Sequence, residues 1–168
     1  MFRRSGPRCT AQFSGDEVKV LRQVAGEVVA LLTDGFDRED PVVERLFPDV
    51  YPDDPESTAE MRQYTEGELK TGKIDQAGAI LAALPSSGGT EVALDDESAE
   101  AWLRALNDVR LALGTRLGVR DDMDLEEELD EAVLKDPTSP RVGQLSLYAY
   151  LGLLQESLLE ALINDGSD

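Results

Sequence analysis

Apolar residues recur at helical spacing along most of the chain, and this pattern predicts a mainly α-helical protein. Residues 141–163 are apolar nearly all round, which predicts a helix in the middle of a bundle. Weaker patterns predict helices after Ser14, after Asp40 and after Asp54, over 74–84, and within the acidic run 121–136. The clearest helix covers 96–117, whose apolar stripe consists of Leu103, Leu106, Val109, Leu113 and Leu117.

Two motifs have the spacing of a capping box, in which two side chains satisfy the free amides at a helix start. Ser14 and Glu17 form the first, and we expect a helix to begin there. Thr65 and Glu68 form the second. A new helix start in this place predicts that the chain changes direction near Thr65.

Two short stretches resemble strands, at 8–13 and 90–95, and each leads into a long helix. A lone strand would leave its backbone groups without partners, so we expect the two to pair. The predicted fold is therefore a mainly α single domain over 1–168, a bundle of five to seven helices with a small two-stranded β-ribbon. Within it we expect a flexible N-terminus at about 1–7, a linker at about 85–90 and an acidic insert at about 121–140.

Composition excludes several kinds of chemistry. The 168 residues contain no histidine and one cysteine, Cys9. Without histidine there is no imidazole base and no histidine-bound metal, and one cysteine forms neither an intrachain disulfide nor a thiolate metal cage. We therefore expect a protein that is not an enzyme and that holds no cofactor or metal.

The net charge of −19 is concentrated in two segments. Residues 34–60 contain ten acidic and two basic residues, and residues 121–136 contain nine acidic and one basic, a net of −8 in each. The rest of the chain has a net charge of only −3. Such runs are either solvated surface or docking faces for a basic protein partner, and they make direct nucleic-acid binding unlikely.

Polar residues interrupt the apolar stripes of the two long helices. Arg110 and Gln155 lie where leucine is expected, and an unpaired polar group in a core costs free energy. We expect Arg110 to pair with Glu156 or Glu66, and Asn107 with Gln155. The cluster is either a polar lock that fixes helix register, or a pocket or partner-anchoring site. Its candidate residues are Arg104, Asn107, Asp108, Arg110, Gln155 and Glu156.

Cys9 follows Arg3, Arg4 and Arg8, and nearby arginine favours a reactive thiolate. Cys9 is therefore a candidate redox residue, with an inert strand cysteine as the alternative. No apolar segment follows Arg4 in the manner of a signal peptide, and none approaches the ~20 residues that cross a bilayer. We expect a cytoplasmic protein.

The stretches 51–84, 94–119 and 153–162 resemble an actinobacterial family of unknown function. Genes of that family commonly neighbour the gene for the Clp protease adaptor, and the family includes an oxidative-stress regulator that works with an alternative sigma factor. The regulator uses a cysteine pair, so its disulfide switch does not carry over to a chain with only Cys9. The positions that match the family motifs are Trp102, Arg104, Asn107, Asp108, Arg110, Gly114, Arg116, Gln155 and Glu156.

The resemblance implies a protein-interaction module in transcriptional control of a stress response, acting through a partner such as a sigma factor. Two alternatives stay open. One is a small-ligand sensor with a polar pocket around Arg110 and Gln155, and the other is an adaptor linked to the Clp protease system. The sequence also leaves a homodimer open.

Overall fold

A computed structural model describes residues 1–34, 36–48 and 53–164. The described part contains six helices, as predicted, and a three-stranded antiparallel sheet in the order β1-β2-β3. The strands are β1 (Arg3–Ser5), β2 (Arg8–Phe13) and β3 (Thr90–Leu94). The helices are α1 (Gly15–Thr33), α2 (Pro41–Leu46), α3 (Pro55–Ala83), α4 (Asp96–Leu117), α5 (Leu125–Lys135) and α6 (Pro140–Ile163).

The predicted pairing of the two strands is confirmed, because Cys9 of β2 lies opposite Leu94 of β3. The sheet contains one strand more than the predicted two-stranded ribbon. Residues 3–5 form a third strand against β2, and the backbone N–H of Phe2 donates to Ser157 Oγ of α6 at 3.0 Å. The N-terminus is held because Phe2 supplies an apolar side chain that the core buries.

The predicted start of α1 is also confirmed. Ser14 accepts from the Glu17 backbone N–H, and Glu17 accepts from the Ser14 N–H. The second predicted capping box is wrong, since α3 runs unbroken through Thr65. The Thr65 hydroxyl instead donates to the Met61 carbonyl one turn earlier, a bond that a mid-helix threonine makes readily. The chain therefore keeps its direction, and α3 forms one long wall of the molecule.

The core joins one face of the sheet to α1, α3, α4 and α6. Trp102 is the largest fully buried side chain of this core and packs on two aromatic rings from the N-terminal segment. Its ring centroid lies 5.7 Å from that of Phe2 and 6.1 Å from that of Phe13. This aromatic group attaches the sheet to the start of α4.

The long helix α6 is less enclosed than its sequence suggests. Leu151, Leu154 and Leu158 are fully buried, whereas Leu153 and Leu159 are 57% and 47% exposed. The expectation of a helix surrounded by the bundle is therefore corrected, because one apolar side of α6 faces outward. In the described part of the chain, no helix has the length and apolarity needed to cross a bilayer.

Cys9 is 0% exposed, on the sheet face that packs against the core, and Arg4 Nη1 lies 3.7 Å from its sulfur. We predict that the folded protein does not react with a water-soluble disulfide reagent such as Ellman's reagent, and that one thiol reacts after unfolding in urea, because burial blocks access. A Cys9→Ser, Leu134→Cys variant is the control, since Leu134 is 86% exposed. If Cys9 in the folded protein reacts as fast as the control cysteine, this prediction is contradicted and a redox role for Cys9 is supported.

Candidate functional site

A groove of about 1450 Å³ lies between α3, α4 and α6. The three helices are tied together across its floor by Lys73 and Asp108, and by Arg110 and Gln155. Leu125, the first residue of α5, also lines the groove. The groove is open to solvent, so it is a surface feature and not an internal cavity.

Two glycines bring α4 and α6 close together beneath the groove. A Cβ at Gly114 of α4 would lie 2.9 Å from the ring of Tyr148 on α6, which is too close for a real side chain. A Cβ at Gly152 of α6 would lie 3.4 Å from the guanidinium of Arg110 on α4. Each glycine therefore leaves space for a large side chain of the opposite helix. The tyrosine and the arginine fill these spaces and form part of the groove lining.

Arg110 lies across the helix pair. Its Nη1 donates to Gln155 Oε1 at 2.8 Å, and its guanidinium carbon lies 5.2 Å from the centroid of the Tyr148 ring, within the range of a cation–π contact. Its Nε is buried and has no hydrogen-bond partner among the described residues. The arginine therefore joins the two helices and still carries one unused donor.

The expected partners of Arg110 are wrong. Glu66 pairs with Arg38, and Glu156 is exposed on α6. Because residues 155 and 156 point about 100° apart on a helix, the side chain that faces α4 is the glutamine and not the carboxylate. The predicted pairing of Asn107 with Gln155 is replaced by Arg110 with Gln155.

Asp108 is the most deeply buried charged group of the groove, with 3% of its surface exposed. Lys73 Nζ donates to its Oδ1 at 2.8 Å, while Oδ2 has no partner among the described residues. Burial raises the pKa of Asp108, and the hydrogen bond and charge of Lys73 act in the opposite direction. The pair links α3 to α4 as Arg110 links α4 to α6.

All six candidate residues from the sequence line this one groove. They do not form the expected buried cluster, because only Asp108 is buried, Arg110 and Gln155 are half-buried, and Arg104, Asn107 and Glu156 are exposed. The physical reason is that the outward side of α4 and α6 is left uncovered where the groove opens. Polar side chains there reach water and need no internal partner.

Sequence reasoning missed the apolar rim of the groove. Four large apolar side chains on its two walls are exposed, namely Met61 and Leu69 on α3 and Leu153 and Leu159 on α6. The signal in the sequence was the apolar character of α6 on more than one side, which we interpreted as burial. Lys73 was also not predicted as a site residue, because nothing in its neighbours along α3 indicates that it pairs with a buried carboxylate on α4.

Of the two acidic segments, 121–136 contributes Leu125 to the groove lining, and none of its acidic side chains lines the groove. Its helix α5 is anchored by Leu125, Leu129 and Ala132, while Glu126, Glu127, Asp130 and Glu131 are exposed. The segment 34–60 includes α2 and the start of α3, and positions 35 and 49–52 lie outside the described residues. Cys9 does not line the groove.

Lys73 and Asp108 should behave as a coupled pair. We predict that Lys73→Met lowers the free energy of unfolding by about 2–4 kcal/mol, because it leaves a buried carboxylate without its cation. Asp108→Leu should cost less, since Lys73 is 20% exposed and reaches water, and the double variant should cost less than Lys73→Met alone. Urea unfolding measures all three, and additive losses would contradict the pairing.

The same variants have an expected pH dependence. In Lys73→Met, burial raises the pKa of Asp108 without the opposing hydrogen bond and charge of Lys73. Above that pKa the buried charge lowers the free energy of unfolding, and this loss disappears as the carboxyl is protonated. The deficit of Lys73→Met against the wild-type protein should therefore shrink as the pH falls, and Asp108→Leu should show no such recovery. An equal deficit at all pH values would contradict the assignment.

The fold and groove define a helical domain with an amphipathic groove between three helices. The chain belongs to the family described as Domain of unknown function (DUF2017), whose model matches residues 1–162. This confirms the resemblance seen in the sequence. The family description assigns no chemistry to any residue.

Named relatives come from mycobacteria. The oxidative stress regulator AosR of Mycobacterium tuberculosis is 28% identical to this chain over 195 residues, covering 95% of this chain and 84% of that protein, and the AosR of Mycobacterium bovis has the same values. A Mycobacterium leprae protein, provisionally given the same name, is 29% identical over 192 residues. No solved structure gives a significant match to the chain.

Proposed function

We propose that this protein is a cytoplasmic, non-enzymatic regulator of an oxidative-stress response that acts by binding a protein partner in the groove between α3, α4 and α6. The names of the mycobacterial relatives support the regulatory role. The observation that carries the mechanism is the groove itself. Its rim is apolar, and Asp108 and Arg110 in its lining each have one buried polar atom without a hydrogen-bond partner among the described residues. The partner class we favour is a component of the transcription machinery, such as a sigma factor.

The apolar rim supports protein binding. Soluble proteins seldom expose several large apolar side chains together, and where they do, the patch usually marks an interaction site. Met61, Leu69, Leu153 and Leu159 surround one depression and do not lie scattered over the surface. Covering them would remove apolar area from water, which is the main favourable term in association.

The size of the groove favours a protein segment over a small ligand. Sites that enclose small molecules usually measure about 300–1000 Å³ and bury most of the ligand. This groove measures about 1450 Å³ and is open along its rim. The small-ligand alternative around Arg110 and Gln155 is therefore less favoured, although their polar atoms lie in the same place.

The acidic surface adds a second contribution. A net charge of −19 attracts a basic partner at long range and speeds its approach, an effect that salt weakens. Apolar contact in the groove does not weaken with salt in this way. We therefore expect partner binding to fall only partly between low and high salt.

The test is genetic and uses exposed leucines. In a host strain that lacks the gene, the wild-type protein should restore the transcript changes that follow peroxide treatment, and Leu153→Lys with Leu159→Lys should restore less than a tenth of them, because charge in the groove prevents apolar contact. Transcript levels before and after peroxide measure the effect.

Leu134→Lys is the matched control, because Leu134 is 86% exposed on α5 and does not line the groove. It should restore the response fully. Deletion without any effect on the peroxide response would refute the regulatory role. Full restoration by the groove variant, with protein levels and melting temperature unchanged, would refute the groove as its site.

A further inference from the structure

Arg110 is a cation of the groove that has no counter-ion in the described part of the chain. Its Nη1 donates to the neutral Gln155, its guanidinium lies over the ring of Tyr148, and it forms no ion pair with a described residue. Asp108, the acid nearest to it along α4, is held by Lys73. Acids are not scarce, since the chain contains 35 of them. Arg110 is therefore available to a carboxylate from another molecule.

The other unpaired charges of the lining select less strongly among occupants. Glu68, Glu156 and Arg104 form no ion pair with a described residue, but all three are exposed to water. Exposed charges gain little from pairing, because water already solvates them. Arg110 is half-buried and is already held by two contacts, so a carboxylate that reaches it gains a charge-assisted hydrogen bond without having to order the arginine.

Apolar side chains accompany the arginine on both walls of the groove. The guanidinium of Arg110 packs against α6 one position before the exposed Leu153, and Leu159 follows further along that helix. The α3 wall contributes the exposed Met61 and Leu69. An occupant that presents a carboxylate to Arg110 therefore meets apolar surface beside it, and a matching segment carries its acid among apolar side chains.

The walls of the groove restrict the backbone of its occupant. They are helices, whose internal N–H and C=O groups are already paired along the helix. An extended segment would find few backbone partners there, whereas a helix satisfies its own backbone. The α6 residues that line the groove run from Tyr148 to Leu159, and at 1.5 Å per residue they span roughly 16 Å, about three helical turns.

A second copy of the chain is the main rival occupant. Its α6 presents Leu153 and Leu159 together with the exposed acid Glu156, which is the chemistry that Arg110 and the rim would accept. Two copies repel each other, however, because each has a net charge of −19. That charge acts on a whole partner, whereas the contact with Arg110 involves one side chain. Net charge therefore favours a different protein that carries a single acid at this position.

We propose that the groove binds an amphipathic helix of a partner protein, about three turns long, whose apolar face carries leucine-like side chains and one aspartate or glutamate that pairs with Arg110. This inference rests on the proposed function and specifies the partner's binding segment. The leucine-like side chains would lie between the α3 and α6 walls. The carboxylate would supply the counter-ion that Arg110 lacks among the described residues.

The probes are fluorescent synthetic helical peptides, stapled on the polar face, that share one leucine-rich apolar face. One position of that face carries glutamate, glutamine or lysine, and each peptide is made with this position in the first, middle or last turn. Anisotropy with the full chain measures binding. In the best register we expect the glutamate peptide to bind at least tenfold more tightly than the glutamine peptide, and the lysine peptide to bind most weakly, because only the carboxylate pairs with a half-buried guanidinium.

Arg110→Gln tests the cation, and Arg116→Gln is its matched control. Arg116 lies on the same helix, is exposed and does not line the groove, so the two variants lose the same charge from different places. The ratio of glutamate-peptide to glutamine-peptide affinity should fall below twofold in Arg110→Gln and stay at least tenfold in Arg116→Gln. A general disturbance of the groove would weaken both peptides and leave their ratio unchanged.

Neutral substitutions of exposed leucines test the apolar contact. Leu153→Gln with Leu159→Gln should weaken the glutamate and glutamine peptides alike, each more than tenfold, because both peptides lose the same apolar surface. Leu134→Gln should weaken neither, since Leu134 is exposed on α5 and does not line the groove. Circular dichroism and melting should be unchanged in these variants.

Three results would overturn the inference. The first is equal or undetectable binding of the glutamate and glutamine peptides to the wild-type chain in every register, a comparison that needs no variant to fold. The second is a glutamate preference that Arg110→Gln leaves intact. The third is a wild-type dimer in ultracentrifugation that Leu153→Gln with Leu159→Gln dissociates, which would make a second copy the occupant.

None of these results depends on the peroxide response. Failure of the peptide experiment with an intact genetic result would leave the regulatory role standing, and the converse would leave the docking groove standing.

Discussion

The close packing of α4 on α6 is the constraint on which the rest of the structure depends. Gly114 and Gly152 remove side-chain volume at two points of this interface, and Tyr148 and Arg110 from the opposite helices occupy the space. The result places a guanidinium between the helices, where it bonds Gln155 and covers an aromatic ring. A larger residue at Gly114 would force Tyr148 aside and alter the groove lining.

This packing also explains why the groove is amphipathic. The α4–α6 pair buries one side of each helix in the core and turns another side toward α3, which approaches through Lys73 and Asp108. Helices α3 and α6 each pack against α4, and the groove lies between them. The apolar side chains on the outer edges, among them Leu153 and Leu159, are left without cover.

Much of the fold could be predicted from local signals. The Ser14 capping box, the stripe on α4 and the pairing of β2 with β3 depend on nearest neighbours in sequence or on the need to pair a strand. The signals that misled were those that tertiary contact overrides. Thr65 has cap chemistry, yet α3 continues through it, and residues 3–5, which we did not predict as a strand, pair with β2.

The candidate site was predicted in part for a related reason. Arg110 and Gln155 stood out because polar residues interrupted apolar stripes, and they do meet. The pairing of Lys73 with Asp108 joins residues 35 positions apart on different helices, and no periodicity encodes it. The sequence also cannot distinguish an apolar helix side that faces the core from one that faces a groove, so the exposure of Leu153 and Leu159 could not be predicted.

Site-specific photocrosslinking in living cells shows directly whether a partner protein lies in the groove. A photoreactive phenylalanine at position 153 is compared with the same residue at position 134, with mass spectrometry of the joined peptides after peroxide treatment. We expect position 153 to join one segment of a single partner protein, and position 134 to join no such segment. Equal crosslinking from both positions, or crosslinks from position 153 only to other copies of this chain, would contradict it.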